Sequence, residues 1–252
     1  MRTALTACLV LASMTAAQGS VDLAEILAPP PSADYAHAAT SENVLNGAFT
    51  AHQYALWLAR TASDVSGIEG DLNQKGFKRG YARSWVALSS TKASPGSSRQ
   101  NWLVETVEEY GSGSGAQARY AGIVSYTRGG GDDFVHEIET PIPKAFGALI
   151  FSGFTYFVMF VKGNDVYIVR MESDVDDMTA MTVAQAKLQF DLAPAYTIPP
   201  GQWVEPQPQQ HPQASDEFTA AKAKVIGYGA LFGVLLIARF VLLVARVLRR
   251  ST

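Results

Sequence analysis

Cysteine is nearly absent: the 252 residues hold one, Cys8. It lies in the opening run MRTALTACLVLASMTAAQGS, where Arg2 gives a single positive charge, an apolar stretch runs from Ala4 to about Met14, and small residues follow. That is the pattern of a secretory leader, residues 1–19, with cleavage after Ala17 or Gly19. The apolar part is too short to cross a bilayer. A mature chain without cysteine excludes disulfide staples, thiol catalysis and cysteine-ligated zinc.

Histidine is scarce too, and the four present (37, 52, 136, 211) are dispersed. His136-Glu137 continues as Ile-Glu-Thr, so the H-E-x-x-H metalloprotease pattern is missing. Positive charge is thin between the ends. Residues 20–221 contain all 23 acidic residues but only 13 of the 20 basic ones, a net charge of −10. Such a segment repels phosphate backbones, and nucleic acid is not expected as a partner.

Long apolar character is present at the other end. Val225–Ala245, VIGYGALFGVLLIARFVLLVA, is 21 residues long, enough to cross a hydrocarbon core of about 30 Å. Arg246, Arg249 and Arg250 follow it. Together with the leader, they place residues 222–246 as a transmembrane helix, residues 247–252 as a cytoplasmic tail and the bulk of the chain outside. Gly229 and Gly233 form a GxxxG spacing that suits a homodimer or a membrane-protein partner. Arg239, inside the run, either snorkels to the interface or pairs with an acid on a neighbouring helix.

Between these ends the sequence divides further. Residues 20–45, with APPPSADY, read as an irregular lead-in, and residues 46–193 as one domain. Asn46–Ala62 has helical spacing. Phe77–Leu88 reads as a strand with Phe77, Arg79, Tyr81, Arg83 and Trp85 on one face, and Trp102–Tyr110 as a second strand. A helix is expected from Ser114, capped with Gln117, to about Thr127, then a short strand over Phe134–Glu139. Ala145–Val161 is apolar; a second membrane segment is one reading, central strands the preferred one, because Gly163-Asn164-Asp165 follows as a hairpin turn. Asp176 or Asp177 should cap a last helix, Met178 to about Leu192. Residues 194–221 hold six of the 12 prolines and read as an extended Pro/Gln-rich stalk. The expected fold is α+β: an antiparallel sheet with helices packed on one face, a stalk, and one C-terminal transmembrane helix.

Chemical motifs are weak. Gly111, Gly113 and Ala116 fit G-x-G-x-x-[GA], but no strand precedes Asp132, and Glu105, Glu108 and Glu109 would oppose a pyrophosphate. Gly113 occupies the nucleophile's place in G-x-S-x-G. Glu172, Asp174 and Asp176 alternate as in a calcium loop, but Asp177 stands where an EF-hand needs glycine, leaving a weak Ca²⁺ site or a solvated turn. No catalytic residue, cofactor or metal is therefore assigned. The one candidate ligand face is Arg79, Tyr81, Arg83 and Trp85, suited to an anion or glycan with aromatic stacking; the plain alternative is cationic stems covering aromatic rings.

KGFKRGYARSWV (residues 75–86), VETVEEYGSGSGAQARYAGIV (104–124) and the GNDVYIVRM hairpin (163–171) resemble secreted or membrane-anchored α+β domains of high-GC Gram-positive bacteria, with a likeness to sensor ectodomains. The resemblance spans residues 45–192 and implies an extracytoplasmic module without assigned catalysis. The sequence thus points to a membrane-anchored binding or interaction module. An accessory subunit recruited through its transmembrane helix is the alternative, and an envelope-polymer hydrolase is a third.

Overall fold

A computed structural model describes residues 21–39, 44–59, 62–88, 101–131, 134–150, 155–173 and 176–206. The strand Trp102–Tyr110 is buried along almost its whole length, so elements must cover it on both faces. It is β4 of an antiparallel sheet whose other strands are β1 (Tyr35–His37), β2 (Gly47–Phe49), β3 (Phe77–Ala87), β5 (Val135–Ile138), β6 (Phe146–Ile150), β7 (Thr155–Lys162) and β8 (Asp165–Glu172). Their order is β1-β3-β4-β8-β7-β6-β5, with β2 also paired to β3. The helices are α1 (Ala51–Leu58), α2 (Ala62–Gln74), α3 (Gly113–Arg128) and α4 (Thr179–Leu192). The architecture is α+β, as expected.

The helices do not share one face. Tyr54, Leu58, Leu72, Ala116 and Ile123 from α1–α3 pack with Phe157, Met159 and Val166. Met178, Ala186 and Ala193, from α4 and its two ends, pack with Val158, Phe160, Tyr167 and Val169 on the opposite side. Adjacent residues of β7 and β8 thus feed two cores, because period-two side chains alternate across a sheet covered twice.

Several local expectations need correction. Asn46–Ala62 is a strand followed by a helix: Thr50 breaks the helical pattern and caps α1, accepting from Gln53 N while Gln53 Oε1 accepts from Thr50 N. Ser112, not Ser114, caps α3, accepting from Gly115 N at 3.3 Å. Met178 is the N-cap of α4 without a side-chain bond, although Asp177 Oδ1 accepts from Thr179 N at 2.9 Å. Phe77 does not share the face of Arg79. A bulge between them sets Phe77 opposite Tyr110 and Arg79 opposite Glu109, which turns Phe77 to the α1–α3 side. Residues 146–150 and 155–161 are strands β6 and β7, so this run is not a second membrane segment. The β7–β8 turn takes Gly163 at φ +63°, a left-handed position that glycine adopts without strain.

Both flanking segments pack on the sheet. In the expected lead-in, Leu23, Leu27 and Ala28 are buried, and β1 joins the edge of β3. In the expected stalk, residues 194–206 dock rather than extend. Thr197 is buried, the Trp203 indole donates to Ile198 O at 2.8 Å, and Val204 N donates to Gly111 O at 2.9 Å. Proline content favoured extension, but Thr197 and Trp203 supply the anchors that hold it down. Among the described residues no helix is long and apolar enough to cross a membrane. The rest of the expected stalk, residues 222–252 with Gly229, Gly233 and Arg239, and the expected leader lie outside the described residues.

Candidate binding face

Alternation along β3 puts Arg79, Tyr81, Arg83 and Trp85 on one face, opposite Glu109, Val107, Glu105 and Leu103 of β4. Beyond β4, Asp165, Tyr167, Val169 and Met171 of β8 complete the same rows. The face is therefore a grid of arginines, carboxylates and aromatics. It looks toward α4 and residues 21–29.

Its cations are engaged. Arg79 grips Glu109 with two bonds, Nε–Oε1 at 2.9 Å and Nη2–Oε2 at 3.0 Å, and also donates to Val21 O at 2.8 Å. Arg83 donates to Ala24 O at 2.8 Å, its guanidinium 5.8 Å from the centre of the Tyr81 ring. Trp85 stacks on His37 with centroids 3.8 Å apart. The sequence-predicted residues do come together, and main-chain carbonyls meet both guanidiniums, with the Arg79 side chain still 40% exposed.

Beneath them sits Glu105, fully buried. Gln185 Nε2 donates to its Oε1 at 2.8 Å and to Pro29 O at 2.7 Å. Burial pushes the Glu105 carboxyl up to about 8, against the opposing pull of Gln185 and Arg83. One turn along α4, Gln189 accepts from Ala28 N and donates to Ile26 O, each at 2.7 Å. Asp165 lies at the other end of the grid. Burial raises its carboxyl to about 7; the Thr197 hydroxyl, donating at 2.6 Å, opposes that, while Glu109 adds to it. The Trp85 indole faces Glu105 and, like Gln185, pulls its carboxyl down, while Asp165 Oδ2 and the Tyr167 hydroxyl are buried on this same face with no hydrogen-bond partner among the described residues.

Among the described residues the opposite face carries one buried ion pair. Glu108 of β4 accepts from Arg119 of α3 at 3.0 and 3.4 Å and from the Tyr110 hydroxyl at 2.6 Å. The Gly-Ser turn between β4 and α3 is filled from within. Ser112 and Ser114 donate to Glu205, and a side chain at Gly113 would meet the Trp203 ring at 2.9 Å. An internal carboxylate thus holds the helix N-terminus where a phosphate was the motif's reading.

Among the described residues, no group of three or more His, Cys, Asp and Glu side chains is placed to hold a metal ion. In the calcium candidate, Glu172 pairs with Arg170 and Asp176 accepts from Asn101 at 2.8 Å, while Asp174 lies outside the described residues.

Sequence reasoning missed Gln185, Gln189, residues 21–29 and the Glu108–Arg119 pair. A signal for the glutamines existed: they stand four apart on the inner stripe of α4 with Thr182, Ala186 and Ala193. No protein-family model, no curated protein and no solved structure matches this chain.

Proposed function

We propose that the protein is a membrane-anchored binding module that works outside the cytoplasm, without catalysis. Residues 1–19 are its leader, residues 207–221 its tether, and Val225–Ala245 its single span. The observation that carries the reading is how the sheet's acids are used. Arg119 and Arg79 hold Glu108 and Glu109 inside the domain, and Gln185 and Thr197 each hold one carboxyl oxygen of Glu105 and Asp165. Carboxylates so committed suit a framework that presents a face. The resemblance to anchored domains of high-GC Gram-positive bacteria agrees.

A second reading is favoured by Arg239, a charge inside an apolar run. In it the protein is an accessory subunit whose span, through Gly229, Gly233 and Arg239, recognises a membrane partner or a second copy. One experiment separates the two. The full-length protein and a version with Val225–Ala245 replaced by a poly-leucine helix are purified from gently cross-linked membranes, and co-purifying proteins are identified by mass spectrometry. The same partners in both preparations support the binding module. A stoichiometric partner lost on replacement supports the subunit.

A further inference from the structure

Four of the described arginines donate hydrogen bonds within the domain. Arg79 and Arg83 reach main-chain carbonyls of the strap Val21–Pro29, Arg119 reaches Glu108, and Arg128 reaches Glu137. Arg170 of β8 is the exception. Its Nε is buried with no hydrogen-bond partner among the described residues, and the Glu172 carboxylate of its ion pair stands 3.5 Å away. The side chain is only 22% exposed, too deep for an ordinary solvated surface group. Its partners across the sheet are Val104 of β4 and Phe157 of β7, both buried, with Thr106 and Thr155 diagonal to it on the same face. Over this row α1 sets Trp57, whose ring centre lies 5.0 Å from the guanidinium carbon. Trp57 is itself stacked on the buried Tyr54 at 5.9 Å. Stem and stack thus fix the plane of the guanidinium, while it lacks the acceptors that the other four arginines have among the described residues.

We infer that Arg170, backed by Trp57, forms a binding site for a small carboxylate with an apolar body. A guanidinium held against an indole presents its outer N–H groups at its edge, in the plane where the two oxygens of a carboxylate accept parallel bonds. A monocarboxylate suits the site better than a phosphate dianion, because Glu172 stands beside the fork and residues 20–221 carry a net charge of −10. The apolar body of the ligand has the partly exposed Trp57 to pack on. Part of the cost of binding is already met in the fold. The fork is largely out of water and held in one orientation before a ligand arrives, so a carboxylate supplies bonds that the guanidinium otherwise makes only to water. The site lies on the α1–α3 side of the sheet, away from the strap and the Arg79 row. It stands whether or not residues 225–245 enter a membrane.

The test uses the full-length protein in mild detergent, its arginines labelled with heavy nitrogen, and sodium benzoate as the probe. The arginine Nε–H resonances are followed by NMR as benzoate is added, and Arg170→Lys, which keeps the charge but loses the fork, identifies the Arg170 signal by removing it. Benzoate should move that signal saturably, with a dissociation constant on the order of 1 mM, while the signals of Arg79, Arg83 and Arg119 stay in place. Benzamide, the same shape without the charge, should bind about tenfold more weakly or worse. Phenyl phosphate should bind no more tightly than benzoate. In Arg170→Lys and in Trp57→Leu, the affinity read from the benzoate ring protons should fall about tenfold. An unmoved Arg170 signal, a shift that grows in proportion to benzoate and is shared by the other arginines, or equal binding of benzamide would overturn the site. Tighter binding of phenyl phosphate would overturn its preference for a carboxylate. The comparison of benzoate with benzamide needs only the unsubstituted chain, so a variant that misfolds does not block the test.

Discussion

Gln185 on α4 joins two parts of the protein with one amide group, donating to the buried Glu105 carboxyl at 2.8 Å and to Pro29 O at 2.7 Å. The N-terminal strap, the last helix and the centre of the sheet therefore meet at one side chain. Gln185→Leu should strip the strap of an anchor and leave Glu105 with no donor to Oε1. The expected cost is about 1–3 kcal/mol, measured by chemical denaturation, with faster proteolysis near residue 29. Cleavage there at the unsubstituted rate would show that Gln185 does not hold the strap.

Stability should fall as pH rises. Glu105 and Asp165 have folded values of about 8 and about 7, above the ordinary carboxylate range of the unfolded chain. A raised carboxyl binds more protons folded than unfolded. Its stabilisation is complete below the unfolded pKa and is lost as pH climbs through the folded one. Thermal unfolding should therefore occur at lower temperature at pH 9 than at pH 5, from a difference on the order of a few kcal/mol. Glu105→Gln, which mimics the neutral acid, should flatten part of this slope. An unchanged slope in that variant would mean that Glu105 is already ionised at neutral pH.

The buried ion pair is costly to break from one side. Arg119→Met leaves Glu108 charged and buried, with the neutral Tyr110 and Tyr54 hydroxyls beside it. The expected loss is about 3–5 kcal/mol, again by denaturation. Replacing both partners with Arg119→Met and Glu108→Gln should recover much of it, because no uncompensated charge remains. A double variant as unstable as the single one would place the cost elsewhere.

The docking of residues 194–206 depends on Thr197. Thr197→Val keeps the shape but removes the bonds from its hydroxyl to Asp165 at 2.6 Å and from Asn164 Nδ2 at 3.0 Å. The segment 194–206 should loosen, with amide exchange of Thr197, Ile198 and Val204 accelerating while β4 stays protected. The Asp165 carboxyl should titrate higher still. Uniform acceleration across β4 would indicate global unfolding instead.

Much of the sheet was legible because its signals are local. The boundaries of β4 follow from the β-rich run WLVETVEEY, and the β7–β8 hairpin from Gly163-Asn164-Asp165. What failed depends on the third dimension. Strand β4 is buried on both sides, so it has no polar face to show which helices lie where, and the expectation of all helices on one face missed that α4 covers the other. Helix α2, ASDVSGIEGDLNQ, carries Val65, Ile68 and Leu72 at helical spacing, a signal left unread beside two glycines that lower helix propensity. The bulge after Phe77 inverted a pattern that simple alternation extended too far. The ligand face itself was read from residues that do share a side. Its occupant was not, since Val21–Pro29 has neither strand nor long-helix pattern and is recognised by its carbonyls, which every sequence has.

The central claim is that the domain stands outside the cytoplasm on one C-terminal span, and the scarcity of cysteine makes it directly measurable. With Cys8 changed to alanine, single cysteines are introduced as Gln209→Cys in the tether and Ser251→Cys in the tail. Intact cells are then treated with a membrane-impermeant maleimide. The account expects Gln209→Cys to label at once and Ser251→Cys only after the cells are opened. Labelling of both positions in intact cells, or of neither, would contradict it.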